Sequence, residues 1–259
     1  MKKQQKVIYL VVLIFVLAFV LYFLGTRPKV SKFKLENKTK QIEKTKEYGD
    51  TIVGWVTVEG TNIDLPIVQD SDILNMKDRD YDYISIYSIP GNDSNHVSLI
   101  SHNIRNVSRK PILNDNTMKG FEQLVSFIYP SFVKENQYIA YTDRYGNQSM
   151  YKIYAVALIN YSQAASYKNV YTDKEQEEYI EKSKKESMYD IDTDVVKEDK
   201  LISLLTCTRF YGAKEVYSFR VDARELRSDE KQELSKVKTN KNYEKIEKRM
   251  KEGDTNEEA

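Results

Sequence analysis

The run Leu201-Ile202-Ser203-Leu204-Leu205-Thr206-Cys207 decides how the 259-residue chain is read. It is an apolar β run ending in a thiol, and Thr208, Arg209 and the turn-like Tyr211-Gly212 follow it. Cys207 therefore stands at a strand end. It is the only cysteine, which excludes an intramolecular disulfide and a four-thiolate zinc site and leaves inert packing or a reactive thiol. A lone cysteine is more often a small core hydrophobe than a nucleophile, so its surroundings must decide.

Around this run the chain reads as short strands. They are expected at Ile52 to Val58, Ile63 to Val68, Tyr83 to Tyr87, Val97 to Ser101, Phe127 to Val133, Tyr138 to Thr142, Ser149 to Ile159, Leu201 to Thr206 and Glu215 to Glu225. Glu59-Gly60, Pro90-Gly91-Asn92-Asp93 and Arg144-Tyr145-Gly146-Asn147 supply turn signals between them. A mainly β fold closed into a barrel is the economical solution, because closure removes exposed strand edges. Two helical stretches interrupt the strands. Met118 to Val125 is short; Thr172 to Met188 is long and polar and opens with a capping-type Thr172 three residues before Glu175. The second lies in a connection of roughly 40 residues, a length more often functional than ornamental.

The two histidines, His96 and His102, flank the strand Val97 to Ser101. His102 stands where a strand runs out into a loop; His96, beside Asp93, Ser94 and Asn95, has the setting of a turn residue. Residue physics alone does not choose between them. Acyl transfer through a thiol needs a thiolate, a proton donor for the leaving amine and donors for the oxyanion, which cysteine, histidine and arginine supply. In the last strand Phe219, Val221 and Ala223 alternate with Ser218, Arg220, Asp222 and Arg224, so the second set is expected on the outer, groove-lining face. Arg220 is on the correct face by parity; its other reading is a solvated barrel charge.

The ends differ from the body. Val7 to Leu24 is uncharged and, at about 1.5 Å per residue, reaches roughly 27 Å, the length of one membrane span. It runs without a small-x-small cleavage site into Gly25, which favours an uncleaved anchor over a signal peptide. Lysines and arginines on both sides leave its orientation open. Residues 1–26 are thus expected to be an N-terminal tip and anchor, 27–46 a polar stalk, 47–227 the folded body, and 228–259 a charged tail, helical or disordered, that buries little. Lys+Arg of 40 against Asp+Glu of 39 gives no global field that would draw the chain onto nucleic acid. No Gly-rich phosphate loop or metal-ligand spacing occurs, so neither cofactor nor metal is expected.

Together these residues resemble a sortase, most closely class B. Ser203-Leu204-Leu205-Thr206-Cys207 is similar to the family's TLxTC signature, Ser101-His102-Asn103 to its histidine segment, and Tyr217 to Leu226 to the strand bearing its arginine, all in family order. Val53-Gly54-Trp55, Ile63-Asp64-Leu65-Pro66-Ile67-Val68-Gln69 and the helical insert before the cysteine strand are similar to class B features. The resemblance implies an eight-stranded sortase-type barrel and a membrane-anchored cysteine transpeptidase. Cys207 would attack the threonine carbonyl of a C-terminal sorting signal of a secreted protein, His102 would protonate the departing amine, and Arg220 would steady the oxyanion. Ser203, Leu204 and Thr206 of the signature would line the bound peptide. The acceptor would be an amine of peptidoglycan or its lipid-linked precursor, and the catalytic domain would lie outside the cell membrane of a Gram-positive bacterium. Aligned on Ala223, Ser218 takes the place of the family's arginine and Arg220 lies two residues later on the same face, with Arg209 and Arg224 as alternatives. A hydrolytic cysteine protease and an inactive sortase-shaped binding module are the competing readings.

Overall fold

The computed structural model describes residues 9, 11–20, 28–44, 52–69, 84–86, 94–110, 112, 119–160, 170–210 and 215–253. The strands are β1 (Ile52–Val58), β2 (Asp64–Gln69), β3 (Ile84–Ile86), β4 (His96–Ile100), β5 (Tyr138–Asp143), β6 (Gln148–Asn160), β7 (Tyr189–Ile191), β8 (Leu201–Thr208), β9 (Tyr217–Glu225) and β10 (Val237–Thr239). Eight of them close into a barrel in the order β1-β2-β3-β4-β8-β9-β6-β5, while β7 and β10 form a separate antiparallel pair. Within the barrel β2–β3 and β4–β8 are parallel. Val56, Leu99, Ile153, Val156, Leu204, Phe219 and Val221 are fully buried in its core.

Local sequence explains several joints. Gly54 is required by close approach, since a Cβ there would stand 2.5 Å from the Thr142 carbonyl oxygen. The β5–β6 turn uses Gly146 at a φ of 85°, and the Asp143 carboxylate accepts the N–H groups of Tyr145 and Asn147. The expected strand Phe127 to Val133 is instead the end of a 3-10 helix (Glu122–Ile128) and the start of a short helix. Pro130 accounts for the difference: it cannot donate to a ladder but suits a first helical turn. The 3-10 helix also displaces the helix expected at Met118 to Val125. Met118, Pro90 to Asp93 and Tyr211-Gly212 lie outside the described residues.

The helices are α1 (Thr39–Lys44), α2 (Pro130–Glu135), α3 (Asp173–Glu186) and α4 (Lys241–Gly253). α3 is the long polar helix that the sequence announces. Thr172 and Glu175 form a reciprocal capping box at its start. Gln176, Tyr179, Ile180 and Ser183 recur at helical spacing and are its buried face.

Both ends depart from expectation. Residues 28–44 are not a free stalk. The N–H of Ser31 donates to the Gln232 carbonyl, that of Leu234 donates to Lys29, Lys38 pairs with Asp64 at 3.0 Å, and Ile42 is buried. Nor do residues 228–253 bury little. Val237, Tyr243 and Met250 enter the main core and Glu230 binds Arg224. Sparse apolar residues suffice because Val237 enters from β10 while Tyr243 and Met250 share one face of α4, where Ile246 joins them. At the N-terminus, residues 11–20 are helical with exposed apolar side chains. Among the described residues no helix is long and apolar enough to cross a membrane, and Val7, Ile8, Leu10 and Leu21 to Leu24 lie outside them.

Candidate active site

β8 carries Cys207 to the barrel rim. Leu201 to Thr206 are all buried, whereas Cys207, next to the strand's last residue, is only partly so. A groove of 260 Å³ opens there, lined by Asn103, Ile104, Asn106, Cys207, Thr208, Arg209 and Val216. One wall thus follows His102 in sequence and the other flanks the β8–β9 connection.

The parallel register of β4 on β8 sets Ile100 opposite Leu205. The ladder ends there, so His102 and Cys207 each stand two residues beyond its last pair. Hydrogen bonds keep the two segments together after the strand has ended, with the pairing shifted by two residues where Val107 meets Phe210. Ser101 N–H donates to the Leu205 carbonyl at 3.2 Å, and Thr206 Oγ1 donates to the Ser101 carbonyl at 2.7 Å. Further along, Thr208 Oγ1 donates to the Arg105 carbonyl and Val107 N–H to that of Arg209. Phe121 N–H donates to the His102 carbonyl at 3.1 Å and fixes it from the other side.

Burial acts on both groups. It raises the pKa of the Cys207 thiol above its ordinary value, opposed by the nearby Arg209 charge, and lowers that of the His102 imidazole. At neutral pH the resting pair is therefore mainly thiol and neutral imidazole. The thiolate–imidazolium pair that acyl transfer needs is the minority form.

His96 takes a different place. It is the first residue of β4 rather than a turn residue, and it is 1% exposed. Its Nε2 lies 2.8 Å from Ser203 Oγ, and its ring packs on those of Tyr171 and Tyr179. Burial holds its pKa down to about 4, with Asp222 pulling upward and Arg220 downward.

Arg220, Arg224, Ser203, Leu204 and Thr206 are not among the residues that line the groove. Arg220 is 1% exposed and sits opposite Leu205; the residue opposite Cys207 is Ser218. Arg220 Nε donates to Asp222 at 2.6 Å, its Nη2 to Glu186 of α3 at 2.9 Å, and its guanidinium lies over the Tyr179 ring. Parity did place it on the outer barrel face, but α3 covers that face, so its charge is paired there instead of lining a groove. Arg224 is likewise buried, against the Asp194 carbonyl and Glu230. Ser203, Leu204 and Thr206 do not reach the groove. Ser203 joins the buried cluster through Asp222 at 2.6 Å and Tyr179 at 2.8 Å, Leu204 is core, and Thr206 bonds Ser101. The groove residues missed by sequence reasoning are Asn103, Ile104, Asn106 and Val216. They had one signal, adjacency to the ends of the His102 and Cys207 strands.

No family model matches the chain. It is 24% identical over 182 residues to sortase B of Staphylococcus aureus, covering 68% of this chain and 71% of that one. A mutant form of Clostridium perfringens sortase B, with serine in place of a cysteine, superposes with a TM-score of 0.61 at 24% identity, over 73% of this chain and 88% of that one. A Staphylococcus aureus sortase B–substrate complex gives 0.58 at 17%, over 74% and 87%. A sortase B complexed with triglycine gives 0.57 at 17%, over 74% and 88%. The barrel, the helix laid over β6 and β9 before the cysteine strand, and a sequence match along most of the body agree: the chain has the sortase fold in its class B form, the family that its sequence resembles.

Proposed function

We propose that the chain is a membrane-anchored cysteine transpeptidase that cleaves a C-terminal sorting signal of a secreted protein and passes the acyl group to a cell-wall amine. The observation that carries this reading is a partly buried thiol at the rim of a 260 Å³ groove, with the segment that carries His102 hydrogen-bonded alongside. In the minority ionic form Cys207 Sγ attacks the peptide carbonyl carbon, and the negative charge gathers on its oxygen. Arg209, exposed in the groove wall and close enough for its charge to act on Cys207, is the guanidinium we assign to steady that oxygen. Collapse breaks the C–N bond, and the His102 imidazolium protonates the leaving amine. This leaves a thioester on Cys207 and a neutral imidazole. The acceptor amine attacks the thioester, His102 takes its proton, and the thiol is regenerated.

The similar proteins solved with substrate and with triglycine support a peptide donor and an amine acceptor for this groove. Val7 to Leu24 is read as the anchor, and the sortase resemblance, not the anchor, sets the barrel outside the cell in a Gram-positive envelope where such acceptors occur. Ser218 opposite Cys207 favours a second reading, a sortase-shaped module that binds the signal without turnover. The two separate in one experiment. The barrel is incubated with a library of sorting-signal pentapeptides, with and without oligoglycine or diamines, and products are read by mass. Transpeptidation yields a ligated product, a protease yields only the acid, and the binding module yields neither.

A further inference from the structure

The last turns of α4 hold residues that flank both walls of the Cys207 groove in sequence. Arg249 Nη2 donates to Glu215 at 2.5 Å, and its guanidinium lies 5.1 Å from the ring centre of Phe210 and 5.2 Å from that of Tyr217. Phe210 and Tyr217 are buried and meet edge to face at 5.2 Å, and Tyr217 Oη donates to the same Glu215 carboxylate. These three partners bracket the groove wall. Val216 lies between Glu215 and Tyr217, and Arg209 immediately precedes Phe210. Two residues further along α4, the Lys251 carbonyl accepts a hydrogen bond from Arg109 Nη2 at 2.7 Å. Arg109 belongs to the segment that runs on from His102 through Asn103, Ile104 and Asn106, which form the opposite wall. A cation beside a helix's last carbonyls is electrostatically favourable, so this second tie also stabilises the turn bearing Arg249. Tyr243 and Met250 in the core and Ile246 packed against it keep the helix from sliding. One rigid element therefore grips the loop after the nucleophile and the loop after the histidine.

From this geometry, and resting on the transpeptidase reading above, we propose that α4 is a clamp that sets the width of the peptide groove, with Arg249 as its positioning residue. Arg249 touches neither the thiol nor the imidazole. It holds the wall around Val216 at the spacing from the Asn103 to Asn106 wall at which an extended peptide meets both. Its loss therefore weakens peptide capture more than bond breaking. Lysine at this position retains the ion pair with Glu215 but loses the planar stacking over two rings, and so restores function in part.

The test uses the full chain in detergent, with Arg249→Ala and Arg249→Lys beside the parent. Amide hydrogen exchange is read around Phe210 and Tyr217 and around Asn103 to Arg109, with β6 as internal control. Steady-state constants are measured with a peptide that the parent acylates. The expected result is faster exchange in both wall segments with β6 unchanged, KM raised about tenfold for Arg249→Ala with kcat within about twofold, and an intermediate KM for Arg249→Lys. Unchanged exchange at the walls overturns the clamp whether or not the chain is an enzyme. So does an unchanged KM, or a fall in kcat alone. A parent that forms no acyl-enzyme with any peptide overturns the transpeptidase reading, and with it the catalytic purpose of the clamp.

Discussion

Cys207 and His102 are expected to titrate in opposite directions from their ordinary values, and this has a kinetic signature. With the thiol raised and the imidazole lowered, the form carrying one proton between them exists from below pH 6.5 to above pH 9.0. The rate should rise with pH through the lowered His102 pKa, hold a broad plateau, and fall through the raised Cys207 pKa. A pH–kcat/KM profile checks this; a narrow bell centred between ordinary values would contradict it. Replacing His102 by alanine should cost about 10²–10⁴-fold in turnover, the usual worth of a general acid. Arg209→Ala should cost on the order of 10²-fold as an oxyanion donor. Arg220→Ala belongs to another class. It strands the fully buried Asp222, and denaturant unfolding should show a loss of about 3–5 kcal/mol. His96 adds a pH term of its own. Its pKa is depressed on folding, so the unfolded chain binds more protons between about pH 6.5 and about pH 4, and stability falls as pH drops through that window. Acid melts of the parent should show this loss, and His96→Gln, which keeps a polar partner for Ser203, should flatten it.

Among the elements, those whose pattern is decided locally were legible. β1 has the expected ends, and α3 begins at its capping box because Thr172 and Glu175 satisfy each other's backbone N–H groups within one turn. Thr172→Ala should lower stability by about 0.5–2 kcal/mol, read as a shift in melting midpoint. Less legible were elements defined by distant partners. β7 and β10 are three residues each and exist only through pairing across a long sequence separation. The outer face of β9 was read as groove lining because Ser218, Arg220, Asp222 and Arg224 are polar. Nothing local reveals that α3 lies over it and that Tyr179, Ser203 and His96 complete the buried hydrogen bonds. The same limit hid the true groove residues. Asn103 and Val216 carry no chemical signature and matter only because two loops meet around the thiol.

Across the whole molecule, the barrel and its order of chemistry-bearing strands were readable from the body, whereas the role of the ends was not. Lys29, Ser31, Gln232 and Leu234 stitch the two ends to each other, and Tyr138 Oη donates to the Glu233 carbonyl. Deleting residues 228–259 should therefore destabilise the barrel rather than trim a free tail, because Val237, Tyr243 and Met250 leave the core with it. Thermal unfolding of the truncated chain beside the parent checks this, and equal midpoints would contradict it. The central claim is that Cys207 holds half of a cleaved peptide. The most direct measurement is intact-mass analysis of the chain mixed with sorting-signal peptides in the absence of an acceptor, followed by addition of oligoglycine. The account predicts a covalent adduct of acyl mass that maps to Cys207, is lost in Cys207→Ala, and is discharged as a peptide–glycine conjugate. A chain that binds the peptide yet never gains that mass would contradict it.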